Sequence, residues 1–224
     1  MSSRPVAYIG RTTVRSPLFI LMVSIFGGLT ALVVVGETSD FDDLVLSNIG
    51  LNHVNNTLNA TMLILSYFGD TSTLLLLSII LTIVRRTRRI GVIFLTCIVI
   101  ILILAMYIKI LVGRETPQII LTSSRNTTQD QKIEEEIISP MARNLSYPAT
   151  HIAIAACFAF LLGLSIPRRL SYLIPFIWSY PVLMAFPRLY FGQYYLTDVI
   201  GGFLLGIIIG IAMSEVMRLK PPEK

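Results

Sequence analysis

Six long apolar runs set the limits on what this chain can fold into. Five are clear: Leu18–Val35, Ile90–Ile108, Ile152–Ile166, Leu170–Phe186 and Val199–Met217. The sixth, Thr61–Val84, is apolar apart from Asp70 in its outer part. About 20 apolar residues in a helix cross a hydrocarbon core of about 30 Å, so the pattern predicts an all-α, six-helix transmembrane bundle forming one domain over residues 1–224. Pro175 and Pro181 interrupt one run, which a membrane helix tolerates when neighbours satisfy the freed carbonyls. The first run lacks an A-x-A-like cleavage site and reads as a retained span rather than a signal peptide. Hydrophobic residues make up 54% of the chain, charged residues 14%, and the mean hydropathy is +0.74. A soluble domain carries about 25% charge. This balance excludes an ordinary soluble enzyme, a disordered chain and a nucleic-acid-binding domain, despite the basic sequence pI of 9.4. Cys97 and Cys157 both lie in apolar runs and form neither a disulfide framework nor a thiolate metal cluster.

Arginine placement orients the bundle. With both termini in the cytoplasm, the inner side holds Arg4, Arg11, Arg15, Arg85, Arg86, Arg88, Arg89, Arg168, Arg169, Arg218, Lys220 and Lys224, with Glu215 and Glu223 as its acids. The outer side is net acidic, as the positive-inside rule requires. Four N-x-S/T patterns, at Asn55, Asn59, Asn126 and Asn144, all fall on the outer side, where N-glycosylation is possible in a cell that performs it. Two outer connections stand out: Glu37–Asn59, and the long Gly113–Tyr147 loop with its acidic run at Glu134, Glu135 and Glu136. Nothing in the sequence sets an oligomeric state.

Against this bias, several cations cluster outside. Lys109 closes the third run, Arg114 follows it, and Arg188 lies where the fifth run ends. Taken singly, each is explained by snorkelling, a long basic side chain anchoring a helix at headgroup level. His151 and Asp198 begin the fourth and sixth runs on the same side, so the helices bring cations, a histidine and a carboxylate to one surface. Guanidinium forks grip phosphate oxygens, and the helix start at Thr150–His151 offers backbone N–H groups to an anion. The pattern therefore predicts a phosphate-handling site on the outer face. Asp70 is explained equally well as a helix-start cap near the interface, and Gly201, Gly202, Gly206 and Gly210 suit close helix packing.

These residues resemble the type-2 phosphatidic acid phosphatase superfamily, which also includes vanadium haloperoxidases and glucose-6-phosphatase. Its motifs are K-x6-R-P, P-S-G-H and S-R-x5-H-x3-D. The first aligns with Lys109 through Pro117, with Thr116 at the motif arginine and Arg114 nearby. The second aligns with Pro148-Ala149-Thr150-His151, keeping proline and histidine. The third aligns with Pro187-Arg188 through Asp198, with Tyr194 in place of the family's second histidine. The resemblance implies an integral membrane phosphatase of the cell membrane, acting without metal or other cofactor on a lipid phosphate or polyprenyl diphosphate at the outer leaflet. Lys109, Arg114, Thr150 and Arg188 would bind phosphate. His151 would be the general acid and Asp198 the orienting carboxylate.

The resemblance leaves the nucleophile open. The family uses the third-motif histidine, and the chain has only His53 and His151. Tyr194 activated by Asp198 is one route; His53 reaching in from the first outer connection, or water, is another. The alternative is a non-catalytic protein that binds a phosphorylated headgroup on the same fold. A transporter fits worst, because the charges gather at one face and not at the midplane. The topology is tested by single cysteines at Thr87 and Ser124, which are expected to react with an impermeant thiol reagent from opposite sides of the membrane. Reaction of both from one side would remove the basis for an outer-facing site.

Overall fold

The computed structural model describes residues 14–50, 56–85, 87–117 and 144–217. His53, Arg86, Arg125, the sequon asparagines Asn55 and Asn126, the acidic run at 134–136, most of the 113–147 loop and both chain ends lie outside the described residues. The described chain is helical, with one isolated antiparallel bridge between Glu115 and Leu145. Helix α1 spans Pro17–Val35 and α2 spans Ser39–Gly50. They are followed by α3 (Asn56–Phe68), α4 (Thr71–Ile83) and α5 (Arg88–Val112). Beyond the long loop come α6 (Thr150–Ser165), a 3-10 segment at Arg168–Leu173, α7 (Ile174–Tyr190) and α8 (Leu196–Val216). The ends follow local chemistry. Ser16 caps α1 by accepting from the Phe19 N–H at 3.2 Å, Pro17 occupies its first turn, and Gly36 closes it at φ 85°.

Among the described residues, four helices are long and apolar enough to cross a membrane: Pro17–Val35, Arg88–Val112, Arg169–Tyr190 and Leu196–Val216. Two of the expected spans differ. The Thr61–Val84 run is broken at Gly69–Asp70 into α3 and α4, bent by 42°. Counted as one bent span, this pair raises the total to five. The Ile152–Ile166 run forms α6, whose 16 residues reach about 24 Å, short of the roughly 30 Å hydrocarbon core. Instead α6 is the buried centre of the bundle: Ile152, Ala153, Ile154, Ala155, Ala156 and Cys157 are all buried, whereas α1 exposes most of its apolar surface. Continuous hydrophobicity in sequence does not distinguish a lipid-facing helix from one wrapped by other helices.

Helix α8 is the main partner of α6, and its glycines set the spacing. A Cβ on Gly202 would lie 2.3 Å from the Ala149 carbonyl oxygen, and one on Gly206 would lie 2.1 Å from that of Ala153. At Gly201, a Cβ would strike the buried Tyr147 ring at 2.6 Å. The Tyr147 hydroxyl shares a 2.8 Å hydrogen bond with Thr30 of α1, and burial pushes its phenol above the ordinary pKa. The Ala149 N–H also donates to the Asp198 carbonyl at 3.0 Å, locking the start of α6 onto the first turn of α8.

A buried ionic knot joins the segments around this seam. Arg114 donates from Nη2 to Asp42 Oδ2 of α2 at 2.7 Å and from Nη1 to Asp198 Oδ1 of α8 at 3.0 Å. Nη1 also approaches Thr197 Oγ1 at 2.7 Å, and the guanidinium lies 4.0 Å from the Tyr195 ring centroid. Asp42 accepts the Thr197 N–H at 3.0 Å and its hydroxyl at 2.5 Å. Both carboxylates are fully buried. The two ends of the long loop are pinned beside the knot, with Thr116 N–H donating to Asn144 O at 2.9 Å and Ser146 N–H to Arg114 O at 2.8 Å.

The bundle has two chemically different ends. At one, Arg85, Arg88 and Arg89 line a cleft of about 400 Å³ together with Met217, and Arg89 donates to the Met217 carbonyl at 2.9 Å. At the other lie the ends of α5 and α7 and the starts of α6 and α8. Replacing Arg114 by alanine is expected to destabilise the fold by about 3–5 kcal/mol, since two buried carboxylates lose their countercharge. Gly206→Ala is expected to cost about 1–3 kcal/mol through overpacking, whereas Gly28→Ala, with nothing within 4 Å of the new Cβ, is expected to be near neutral. Thermal unfolding in detergent checks all three. Indifference of the fold to Arg114→Ala would dissolve the knot as a structural element.

Candidate active site

The expected site residues lie at helix ends or in the connections beside them. Lys109 lies in the last turn of α5, before Gly113 ends that helix at φ 66°. Thr150 and His151 open α6, Arg188 lies in the last turn of α7, Tyr194 lies on the α7–α8 connection, and Asp198 stands in the first turn of α8. The fold divides these residues between two adjoining polar groups.

One group contains His151, Tyr194, Arg188 and Lys109, and the structure adds Asp70. The His151 Nδ1 and the Tyr194 hydroxyl are 3.2 Å apart. The His151 Nε2 lies 3.6 Å from Asp70 Oδ1, and the same carboxylate oxygen lies 3.5 Å from Arg188 Nη2. Arg188 also donates from Nη1 to Gln193 Oε1 at 2.7 Å. The Lys109 ammonium lies 5.9 Å from the Tyr194 ring centroid. Arg188 and Tyr194 are buried, whereas the His151 and Asp70 side chains are partly exposed, so the group opens to the surface on one side. A guanidinium has five N–H donors, more than Asp70 and Gln193 take, and an ammonium has three. The group therefore combines two cations suited to phosphate oxygens with a histidine within proton-transfer distance of a phenol.

The other group is the Arg114 knot. Arg114 spends its fork on Asp42 and Asp198, and Asp198 accepts from Arg114 through Oδ1 and from the Tyr195 N–H through Oδ2, the latter at 2.8 Å. Asp198 does not meet Tyr194 across a helical turn, because α8 begins at Leu196 and its cap residue Tyr195 is extended, with ψ 161°. Four-residue spacing brings side chains together only where the segment is helical. Thr150 is buried at the first position of α6. Among the described residues, no group of three or more His, Cys, Asp or Glu side chains stands placed for a metal ion.

Asp70 is the residue that the sequence undervalued. It does occupy the cap position of α4, but its side chain makes no capping bond to that helix. It points instead to His151 and Arg188 and accepts from the Ser72 hydroxyl at 2.5 Å. The bend after Gly69 makes this possible. A Cβ there would meet the Met184 sulfur at 2.6 Å, so glycine lets the α3–α4 corner press against α7. Tyr190 of α7 donates to Asn59 of α3 at 2.5 Å and holds the same corner. An ionisable residue inside an apolar run was the one available signal.

The chain is 28% identical over 168 residues to an undecaprenyl-diphosphatase of Sulfolobus acidocaldarius, covering 75% of each chain. Its structure superposes on a transmembrane PAP2-type phosphatidylglycerolphosphate phosphatase from Bacillus subtilis with a TM-score of 0.70 and 21% identity, covering 90% of this chain and 96% of the other. Aquifex aeolicus LpxE matches with a TM-score of 0.51 and 20% identity, over 76% of this chain and 92% of that one. The sequence pattern of the PAP2 superfamily matches residues 90–221, from α5 to the C-terminal tail and including all three motif segments, and the chain therefore belongs to the PAP2 superfamily.

Proposed function

We propose that this protein is an integral membrane phosphohydrolase that removes a phosphoryl group from a lipid phosphate or polyprenyl diphosphate at the outer leaflet of the cell membrane. The observation that carries this reading is the convergence of Lys109, Arg188, His151 and Tyr194 at one end of the bundle. Phosphoryl transfer asks a protein mainly for positioned positive charge and a proton acceptor or donor, and this group supplies both. The Sulfolobus relative's name supports a polyprenyl diphosphate among the substrate classes. The concentration of arginines at the opposite end supports an orientation with both termini inside and the site outside. Six membrane-associated segments then comprise the four long helices, the bent α3–α4 pair and the enclosed α6.

Within this reading Lys109, Arg188 and Thr150, the last at the start of α6, bind the phosphoryl oxygens. Arg114 and Asp198 act through their knot, holding the loop and α8 against α6, in place of the phosphate-binding and imidazole-orienting roles that the family resemblance implies. Turnover is slow relative to relatives that attack with a histidine, because a phenol with a pKa near 10 is almost wholly protonated at neutral pH.

A second reading, a non-catalytic binder of phosphorylated headgroups, is favoured by that same withdrawal of Arg114 and Asp198 into a buried ion pair. Phosphate release from phosphatidic acid and from farnesyl diphosphate by the purified protein separates the two. Release by wild-type protein is expected, while headgroup binding without release would favour the binder. In either case Lys109→Ala and Arg188→Ala are each expected to weaken headgroup binding by about 1.5–3 kcal/mol, the range for charge-assisted hydrogen bonds. Arg85→Ala, at the far end, is expected to leave it unchanged. Equal losses in all three would reduce the site to diffuse electrostatic attraction.

A further inference from the structure

Resting on the phosphohydrolase reading, we infer that Tyr194 is the nucleophile, with His151 as its base and Asp70 as the residue that positions His151, and that the reaction passes through a phosphotyrosine. The juxtaposition is a carboxylate, an imidazole and a hydroxyl in line. Asp70 Oδ1 faces His151 Nε2 at 3.6 Å, and His151 Nδ1 faces the Tyr194 hydroxyl at 3.2 Å. A nucleophile within hydrogen-bond reach of a base, itself oriented by a third group, is the arrangement that activates an otherwise weak nucleophile.

The tautomer follows from what each group can do. An ionised carboxylate only accepts, so the imidazole proton lies on Nε2, toward Asp70. The lone pair of Nδ1 is then directed at Tyr194, whose hydroxyl donates to it. Arg188 beside Asp70 gives that partly exposed carboxylate a countercharge, and Lys109 near the Tyr194 ring places positive charge where a bound phosphoryl group develops negative charge. The helix that follows Asp70 contributes nothing to the three family motifs, so the carboxylate facing His151 comes from outside them.

The chemistry balances in two steps. In the first, Tyr194 Oη bonds to phosphorus, its proton passes to His151 Nδ1, and the bond from phosphorus to the leaving oxygen breaks. With a diphosphate substrate the leaving group departs as a phosphate anion and needs no proton from the protein. In the second, water attacks the phosphotyrosine and gives its proton to solvent, the bond from phosphorus to Oη breaks, and His151 Nδ1–H returns the proton to Oη. The products are the monophosphate and inorganic phosphate.

The test uses the full-length protein in detergent micelles with farnesyl diphosphate radiolabelled at its terminal phosphorus, quenched in acid during turnover. A phosphotyrosine survives acid, whereas the P–N bond of a phosphohistidine does not. The wild-type protein is expected to retain acid-stable label on the peptide that contains Tyr194. Tyr194→Phe is expected to lose the label and about a hundredfold in kcat, and Asp70→Asn to lower kcat about tenfold or more with KM held within about threefold. Tyr194→His is expected to make the label acid-labile. Should Asp70→Asn fail to fold, Tyr194→Phe, which keeps the ring, carries the test alone. Wild-type turnover without acid-stable label, or undiminished turnover in Tyr194→Phe, would overturn the inference and leave the phosphohydrolase reading standing. No phosphate release from wild-type protein would defeat that reading and the inference with it.

Discussion

The close approach of α6 and α8 is the constraint on which the rest of the molecule depends. Gly202 and Gly206 bring α8 onto the carbonyls of Ala149 and Ala153 at distances that no side chain would allow. Membrane helices gain little from the hydrophobic effect between one another, so packing at small residues is a main source of their association. Here that packing also fixes chemistry. It holds the start of α6, with His151, against the start of α8 and the connection that carries Tyr194. The remaining helices close around this pair, and most of α6 is buried among them.

Charge is sorted just as strongly. In the Arg114 knot Asp42 and Asp198 are fully buried, and a buried ion pair adds little net stability while making its own disruption severe. Its value lies in register, because it ties α2, the loop after α5 and the first turn of α8 to one point. The neighbouring group around His151 is more open, with the His151 and Asp70 side chains partly exposed. A structural knot beside an open reactive group lets the latter remain polar without loosening the helix ends that carry it. The chain thus keeps a PAP2 fold with Arg114 and Asp198 paired in the knot and Lys109, His151 and Arg188 in the group beside it.

Much of this was legible in the sequence, though not evenly. The membrane class followed from the apolar runs, and the family from Lys109, His151, Arg188 and Asp198 in their order and spacing. The first run, Leu18–Val35, ends where α1 ends, whereas the third, Ile90–Ile108, stops four residues short of the helix that Gly113 closes. Where the reading departed from the structure, tertiary contact was the cause. Hydropathy marked α6 as apolar but could not show that its 16 residues are wrapped by other helices, because that burial is set by its neighbours. The break at Gly69–Asp70 was hidden inside an apolar run because it depends on packing against Met184. Asp42 sits in a polar stretch with Asp40 and Asp43, and nothing local marks it as the partner of Arg114, 72 residues away. For the same reason Asp70 read as a cap, its cap position being local and its reach to His151 not.

The most direct test of the account is a structure of the protein with orthovanadate, which adopts the five-coordinate geometry of a phosphoryl group in transfer. The account predicts vanadium bonded to Tyr194 Oη, its equatorial oxygens held by Lys109 and Arg188, with His151 still bridging Tyr194 and Asp70. Vanadate bound elsewhere, or bound in this pocket with another atom in the attacking position, would contradict it.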